Sequence, residues 1–119
     1  RIGPVLQRLQ ALGLGYLTLG QPAATLSGGE RQRLRIGRDL AQPQTVPTLY
    51  VLDEPTAGLH ATEIPRLVLA LRSLVEAGHT VVVIEHNREL LRQVDWHIEL
   101  GPGAGPNGGK IITSCARVS

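Results

Sequence analysis

The spacing of apolar residues predicts two helices in the first part of the chain. The first is marked by four apolar positions at helical intervals, followed by a glycine where a left-handed C-terminal cap would fall. These residues are Val5, Leu6, Leu9, Leu12 and Gly13. Residues 14–25 are rich in turn formers and predict a loop or weak strand. The second helix is predicted from about Gly29 to Ala41, because Pro43 and Pro47 would end it.

The middle of the chain has the pattern of a strand–helix–strand unit. Residues 48–52 and 80–84 are continuous apolar runs, typical of parallel strands covered on both faces. The helix between them is predicted by an apolar stripe that Gly78 can cap. The stripe consists of Ile64, Leu67, Val68, Leu71, Leu74 and Val75. Such a unit makes a right-handed crossover, so we expect a parallel sheet with functional groups at the carboxyl ends of its strands.

The last third predicts smaller elements. Asn87 is a plausible N-cap for a short helix marked by Leu90, Leu91 and Val94, and residues 96–100 predict a strand. A turn region rich in glycine and proline follows, and residues 110–113 predict an edge strand. We find no internal repeat and no separate linker.

Composition narrows the class of protein. The 119 residues can bury only a modest core, and the chain opens in mid-pattern without any methionine, so we expect an internal or C-terminal piece of a longer protein. The net charge of +2 does not argue for a nucleic-acid partner by itself. A single cysteine, Cys115, excludes an internal disulfide and a cysteine-only zinc site. Without a signal peptide or an apolar run of membrane length, the sequence favours a reducing, cytoplasmic setting.

A Ser-Gly-Gly-Glu segment precedes the second helix. Ser27 and Glu30 fit a capping box, which alone would account for both residues. Gly28 and Gly29 are not required by a cap, but they would let backbone amides approach a phosphate at the positive end of the helix dipole. In combination with the two motifs at the strand ends, we favour the phosphate-binding interpretation.

Two carboxylates and a histidine follow the predicted parallel strands. Asp53 and Glu54 could be a polar strand end before the turn at Pro55, but adjacent carboxylates favour a cation between or beside them. Magnesium meets that need, with Asp53 as an outer ligand and Glu54 free to orient or deprotonate water. His86 alone would more often be structural, but at this position it can contact a γ-phosphate.

The motifs that would bind the β and γ phosphates are absent. No Gly-x-x-x-x-Gly-Lys-Ser/Thr loop occurs, and residues 104–111 imitate one only superficially, since alanine replaces the first glycine and isoleucine the magnesium-binding hydroxyl. We interpret that segment as a turn. Arg31, Arg35 and Arg38 share a helical face that could touch DNA, although a solvated face is favoured.

The combined motifs resemble the ATP-binding cassette superfamily and, within it, the UvrA family. Residues 26–30 look like the signature motif and residues 49–54 like Walker B. Residues 55–60 look like the D-loop, and His86 like the switch histidine. Details closer to UvrA than to transporter cassettes are Glu30, residues 19–21, residues 58–60, residues 84–87, Asp95-Trp96 and residues 100–102. The resemblance covers about residues 5–110, whereas the tail 111–119 departs from the family pattern.

The resemblance implies an α/β fold: a P-loop NTPase-like, ABC-type parallel sheet with flanking helices, forming part of a domain. It implies a signature helical part at 1–47, a Walker B to switch-histidine part at 48–100, and a turn and tail at 101–119. In such proteins ATP lies between the Walker motifs of one cassette and the signature of another. Ser27, Gly28, Gly29 and Glu30 would then bind one ATP, while Asp53 (through water to Mg²⁺), Glu54 and His86 would serve the opposite site.

For the UvrA family the resemblance further implies a homodimer that recognises damaged DNA, loads UvrB in nucleotide excision repair and belongs to the SOS response. Zinc is expected only in other parts of such proteins, and direct DNA binding by this chain is not expected. The alternatives are the ATPase of a membrane transporter, an antibiotic-resistance relative of UvrA, or an inert partner surface. Since no phosphate loop is present, we predict that the chain alone hydrolyses no ATP.

Overall fold

The computed structural model describes residues 2–15, 20–42, 44–103 and 105–116. The chain divides into two compact units, Arg1–His86 and Asn87–Ser119. The helices are α1 Ile2–Ala11, α2 Gly28–Ala41, α3 Ile64–Glu76 and α4 Arg88–Leu91; the strands are β1 Leu49–Asp53, β2 Thr80–Ile84, β3 Trp96–Leu100 and β4 Ile111–Ala116. Single 3-10 turns occur at Ala23–Thr25 and Gly105–Asn107.

The first unit contains the expected strand–helix–strand arrangement. Strands β1 and β2 pair in parallel, from Leu49 opposite Thr80 to Asp53 opposite Ile84. Helix α3 lies between them in sequence, and its apolar stripe is buried at Ile64, Leu67, Leu71 and Leu74. Gly78 follows with a φ of 95°, a left-handed conformation that glycine adopts without strain and that ends the helix. The predicted parallel pairing is therefore confirmed.

The expectation that both strands are covered on two faces is wrong for the described residues. In β1 the side chains alternate: Tyr50 and Leu52 are buried, whereas Leu49 and Val51 are 61% and 60% exposed. Val82 in β2 is also exposed. A continuous apolar run does not distinguish one covered face from two, and only the face carrying Tyr50 and Leu52 is packed by the described part of the chain.

Helices α1 and α2 pack closely together. A Cβ atom at Gly37 of α2 would lie 2.7 Å from Leu9 Cδ2 of α1, so a larger residue would push the helices apart. After α1, Gly13 has a φ of 77°, as its predicted capping role requires. The chain then turns inward, which buries Leu12 and Leu14 at 3% exposure each.

A buried polar cluster joins α2 to β1. The Tyr50 hydroxyl donates a hydrogen bond to Asp39 Oδ2 at 3.0 Å, and Asp39 Oδ1 accepts a second one from Arg38 Nε at 2.9 Å. Burial and then the Asp39 hydrogen bond raise the pKa of Tyr50, because both oppose ionisation of the phenol. At the start of β1, Thr48 N donates to Nδ1 of the buried His79. These bonds satisfy polar groups that would otherwise be costly to bury.

The second unit consists of a helical turn and an antiparallel pair. Asn87 caps α4 as predicted, since its Oδ1 accepts hydrogen bonds from Glu89 N and Leu90 N. Strand β3 pairs with β4, which extends three residues beyond the predicted edge strand to Ala116. Position 104 of the phosphate-loop imitation lies outside the described residues. None of the described helices is long and apolar enough to cross a bilayer.

Candidate functional site

The carboxyl ends of β1 and β2 lie side by side. Asp53 ends β1 opposite Ile84, which ends β2. Glu54 N donates to Ile84 O at 2.8 Å, so the ladder continues one residue beyond the strand. This register places Glu54 and His86 at the same edge of the sheet, as predicted from the strand pattern.

Glu54 and His86 form the closest pair of candidate catalytic groups. Glu54 Oε1 lies 3.6 Å from His86 Nδ1, and the two side chains are 56% and 84% exposed, respectively. An exposed pair of this kind contributes about 1 kcal/mol or less to stability. The pair is therefore accessible to a ligand and is not needed to hold the fold.

The backbone of Glu54 is strained. Its φ is 46°, the left-handed region in which a non-glycine residue costs about 1–2 kcal/mol. Two backbone bonds hold it there: Glu54 N donates to Ile84 O, and Glu54 O accepts from Ala57 N at 3.0 Å. Glycine would fit this conformation without strain, so folding does not favour glutamate at this position. The sequence carried no signal for this strain beyond the restriction that Pro55 places on the preceding residue.

Glu85 connects both strand ends. Its Oε1 accepts hydrogen bonds from Thr56 N at 2.9 Å and from Thr56 Oγ1, and its Oε2 accepts from His86 N at 2.9 Å. Glu85 directly follows β2 in the sequence, and sequence reasoning gave it no role.

The start of α2 has the predicted capping box. Ser27 Oγ accepts a hydrogen bond from Glu30 N at 3.2 Å, while Glu30 Oε2 accepts from Ser27 N at 3.0 Å. This reciprocal pair explains Ser27 and Glu30 by helix capping. Gly28 and Gly29 occupy the first two helical positions. The backbone N–H groups at these positions have no hydrogen-bond acceptor within the helix.

The two glycines differ in what surrounds them. A Cβ atom at Gly28 would meet nothing within 4 Å, whereas one at Gly29 would lie 2.8 Å from an Arg33 terminal nitrogen and 3.1 Å from Ala57 O. The packing of Arg33 and Ala57 therefore accounts for glycine at position 29, and ligand contact by the amides of Gly28 and Gly29 stays a prediction. Gly28 remains open for a ligand.

Helix α2 is joined to the sheet edge by two side chains that sequence reasoning did not place. The Gln32 amide pairs with the Asp53 backbone, donating to Asp53 O at 2.8 Å and accepting from Asp53 N at 3.2 Å. Arg33, 2% exposed, donates to Pro55 O at 3.1 Å and to Ala57 O at 3.2 Å. A signal for Arg33 was present, since it shares a helical face with the small or apolar Gly29, Ile36 and Gly37.

Magnesium fits the donor set at the strand ends. Within the described ranges, no three His, Cys, Asp or Glu side chains are grouped to hold a metal. Magnesium does not require such a cage, because it keeps several waters and is bound through one or two carboxylates together with substrate phosphates. The exposed carboxylates of Asp53 and Glu54 are of this type.

The three arginines on one face of α2 are exposed, as expected for a solvated face. Arg31, Arg35 and Arg38 line an open groove of about 540 Å³ together with Val5, Leu9 and Leu34. Arg31 also donates to Leu26 O at 2.7 Å, next to the capping box.

Comparison with known proteins gives one consistent family. No family model matches the chain. It is 52% identical over 107 residues to UvrABC system protein A of Aquifex aeolicus, and 52% identical over 109 residues to that of Bacillus subtilis. These alignments cover 90% and 92% of this chain. The chain belongs to the UvrA family.

A solved UvrA structure supports the same assignment. The crystal structure of UvrA2 from Deinococcus radiodurans matches 94% of this chain with a TM-score of 0.86 and 42% sequence identity. The chain spans only 12% and 11% of the first two UvrA relatives and 14% of the UvrA2 chain. The predicted fold class, a partial α/β domain of the ABC ATPase type, is confirmed, and the transporter alternative is weaker.

Proposed function

We propose that this chain supplies parts of the ATP-hydrolysing sites of a UvrA-type protein that recognises damaged DNA in nucleotide excision repair. The observation that carries the proposal is the 3.6 Å approach of Glu54 Oε1 to His86 Nδ1 at the aligned ends of two parallel strands. Membership of the UvrA family supports the same conclusion. The exposure of both side chains leaves room for a nucleotide and for water.

In this proposal each side chain at the sheet edge has a separate task. Glu54, which lies one residue beyond the end of β1, orients the attacking water or takes its proton. His86 contacts the γ-phosphate of the substrate. Asp53 binds Mg²⁺ through a water molecule, with its backbone fixed by the Gln32 amide. The metal ion would neutralise phosphate charge when bound.

The start of α2 serves a second nucleotide. Ser27, Gly28, Gly29 and Glu30 form a helix start whose positive dipole end suits an anionic phosphate, and the amides of Gly28 and Gly29 lie in the first helical turn, where they have no partner within the helix. In the paired arrangement implied by the family, this segment completes a site whose Walker A motif lies in another cassette. The residue best placed for direct contact is Gly28, because it is exposed and has open space around it, whereas the Ser27 and Glu30 amides are each bonded to the other residue's side chain.

Membership of the UvrA family also supports a proposal about the activity of the longer protein. We propose a homodimer that binds damaged DNA and UvrB, works in the cytoplasm and contributes to the SOS response. Zinc would belong to other parts of such a protein. The antibiotic-resistance relatives of UvrA would use the same nucleotide chemistry.

The direct test is Glu54→Gln in the full-length protein that contains these residues. ATP binding should be retained, while hydrolysis slows by about two orders of magnitude or more, because glutamine is a poor base. A matched control is Glu76→Gln, which changes an exposed carboxylate at the end of α3 and should leave turnover unchanged. Unchanged steady-state turnover in Glu54→Gln would remove Glu54 from this role.

A second test uses the 119-residue chain alone. We predict that it shows no Mg²⁺-dependent ATP hydrolysis, because triphosphate binding lacks its principal loop in this sequence. Phosphate release above the buffer background, in a sample free of other ATPases, would contradict this prediction.

A further inference from the structure

The Glu85 carboxylate holds two chain segments with different oxygens. Oε1 accepts from the backbone N and from the hydroxyl of Thr56, in the turn after β1. Oε2 accepts from the backbone N of His86, directly after β2. Hydrogen bonds to a carboxylate are shorter and about twice as strong as neutral ones, so three donors on one side chain make a rigid connection.

The connection spans the two groups proposed to act on ATP. Thr56 lies two residues after Glu54, and Glu54 O accepts from Ala57 N across the same turn. His86 is covalently adjacent to Glu85. Movement of the turn relative to the end of β2 would change the separation of Glu54 and His86, and the bonds to Glu85 oppose that movement.

The turn is held on its other side by α2. Arg33 donates to Pro55 O and Ala57 O, the carbonyls on either side of Thr56. Thr56 is thus fixed between a buried arginine and a half-buried carboxylate. A strand-end glutamate that only served solubility would extend into water, and Glu85 does not.

We propose that Glu85 is a positioning residue for ATP hydrolysis: it sets the separation of Glu54 and His86 by joining Thr56 to the backbone of His86. Glu85 itself touches neither substrate nor metal in this role. The inference rests on the proposed function, because it assigns Glu85 to the same reaction.

The first test is Glu85→Gln in the full-length protein. Glutamine keeps one acceptor oxygen but places an amide donor opposite either the Thr56 donors or His86 N, so one half of the connection is lost. Because a misplacement of about 1 Å can cost about a hundredfold in rate, kcat should fall about 10- to 100-fold. The KM for ATP should stay within about twofold, since the loss concerns positioning and not binding. Any fall in the midpoint of thermal unfolding should leave the protein fully folded at the assay temperature, because the lost bonds stabilise one turn and not the core.

Two substitutions of Thr56 test the other end of the connection. Thr56→Val removes the hydroxyl donor and keeps the β-branched shape, and it should lower kcat in the same direction as Glu85→Gln. Thr56→Ser keeps the hydroxyl donor, so its kcat should stay close to that of the parent and above that of Thr56→Val. The double variant of Glu85→Gln with Thr56→Val should be little slower than Glu85→Gln alone, because both remove the same connection.

Three results would overturn the proposal. The first is an unchanged kcat in Glu85→Gln, and the second is a loss of thermal stability in Glu85→Gln large enough to explain its lower kcat. The third is an equal kcat for Thr56→Val and Thr56→Ser. If Glu85→Gln does not fold, the Thr56 pair decides. Glu54→Gln, measured in parallel, separates the two proposals. If Glu54→Gln lowers kcat and Glu85→Gln does not, only the positioning role of Glu85 is wrong. If Glu54→Gln leaves kcat unchanged, the proposed function is wrong.

Discussion

Two regions are proposed to bind nucleotide, and they differ in how many of their residues are explained by the needs of folding. At the start of α2, Ser27 and Glu30 satisfy each other in a capping box, and Gly29 is required by the packing of Arg33 and Ala57. At the sheet edge, Glu54 occupies a conformation that favours glycine, and His86 is 84% exposed. Folding accounts for most of the first region and for little of the second.

The difference shows how a motif can be structural and functional at once. A residue that stabilises its own helix can also present free amides to a ligand, so its identity alone does not reveal the ligand. A residue that costs stability where it stands is more informative, because another requirement must retain it. Among the described residues, Glu54 is the one non-glycine residue with a left-handed backbone.

The largest expected effect comes from Glu54→Gly in the full-length protein. Loss of the carboxylate should lower the ATPase rate by about two orders of magnitude or more. Glycine removes the strain of the left-handed backbone, which stabilises the folded state, but it also raises the entropy of the unfolded chain, which destabilises it. The free energy of unfolding should therefore stay unchanged or rise by up to about 1 kcal/mol. Calorimetric unfolding and steady-state ATPase assays measure the two quantities.

The matched control for Glu54→Gly is Ala57→Gly in the same turn. Ala57 does not have a positive φ, so this change should lower the free energy of unfolding by about 0.5–1 kcal/mol. If Glu54→Gly lowers the free energy of unfolding as much as Ala57→Gly does, the left-handed backbone at Glu54 does not cost the protein stability.

The next largest effect distinguishes the two glycines of the signature segment. Gly29→Ala should cost about 1–3 kcal/mol of unfolding free energy, because the new Cβ atom meets Arg33 and the Ala57 carbonyl. Gly28→Ala enters open space and should leave stability unchanged within about 0.5 kcal/mol. Thermal unfolding of both variants is the measurement. Equal destabilisation by the two substitutions would remove the contrast between them.

The smallest effect is expected at the cap. Ser27→Ala removes the acceptor for Glu30 N and should cost about 1 kcal/mol. Ser73→Ala is a suitable control, because Ser73 lies inside α3 and its hydroxyl donates to a carbonyl of the same helix, Leu69 O. We expect Ser73→Ala to be neutral, and a neutral Ser27→Ala would argue that the capping box does not stabilise α2.

Most of the fold could be predicted from the sequence because its elements have strong local signals. The stripe of α3, the glycine after it and the two apolar runs fix a parallel pair without tertiary information. The uncovered face of β1 could not be predicted, since Leu49 and Val51 are as apolar as Tyr50 and Leu52. Coverage depends on what packs against the sheet, and the sequence of a strand does not encode that.

The position of the candidate site could be predicted from the sequence, but the hydrogen bonds that join its segments could not. Register and strand ends place Glu54 and His86 together, which the spacing of the two apolar runs already predicts. The bonds of Glu85 to Thr56 and of Arg33 to the following carbonyls link residues more than 20 positions apart. Such long-range bonds leave no periodic signal, so only the folded structure reveals them.

The most direct test of the account is a double-mutant cycle on Glu54 and His86 in the full-length protein, read by single-turnover ATP hydrolysis. Glu54→Gln and His86→Ala should each slow hydrolysis. The double variant should be within about threefold of the slower single variant, because residues that act as one unit are not additive. Multiplication of the two single effects would contradict the claim that these side chains form one site.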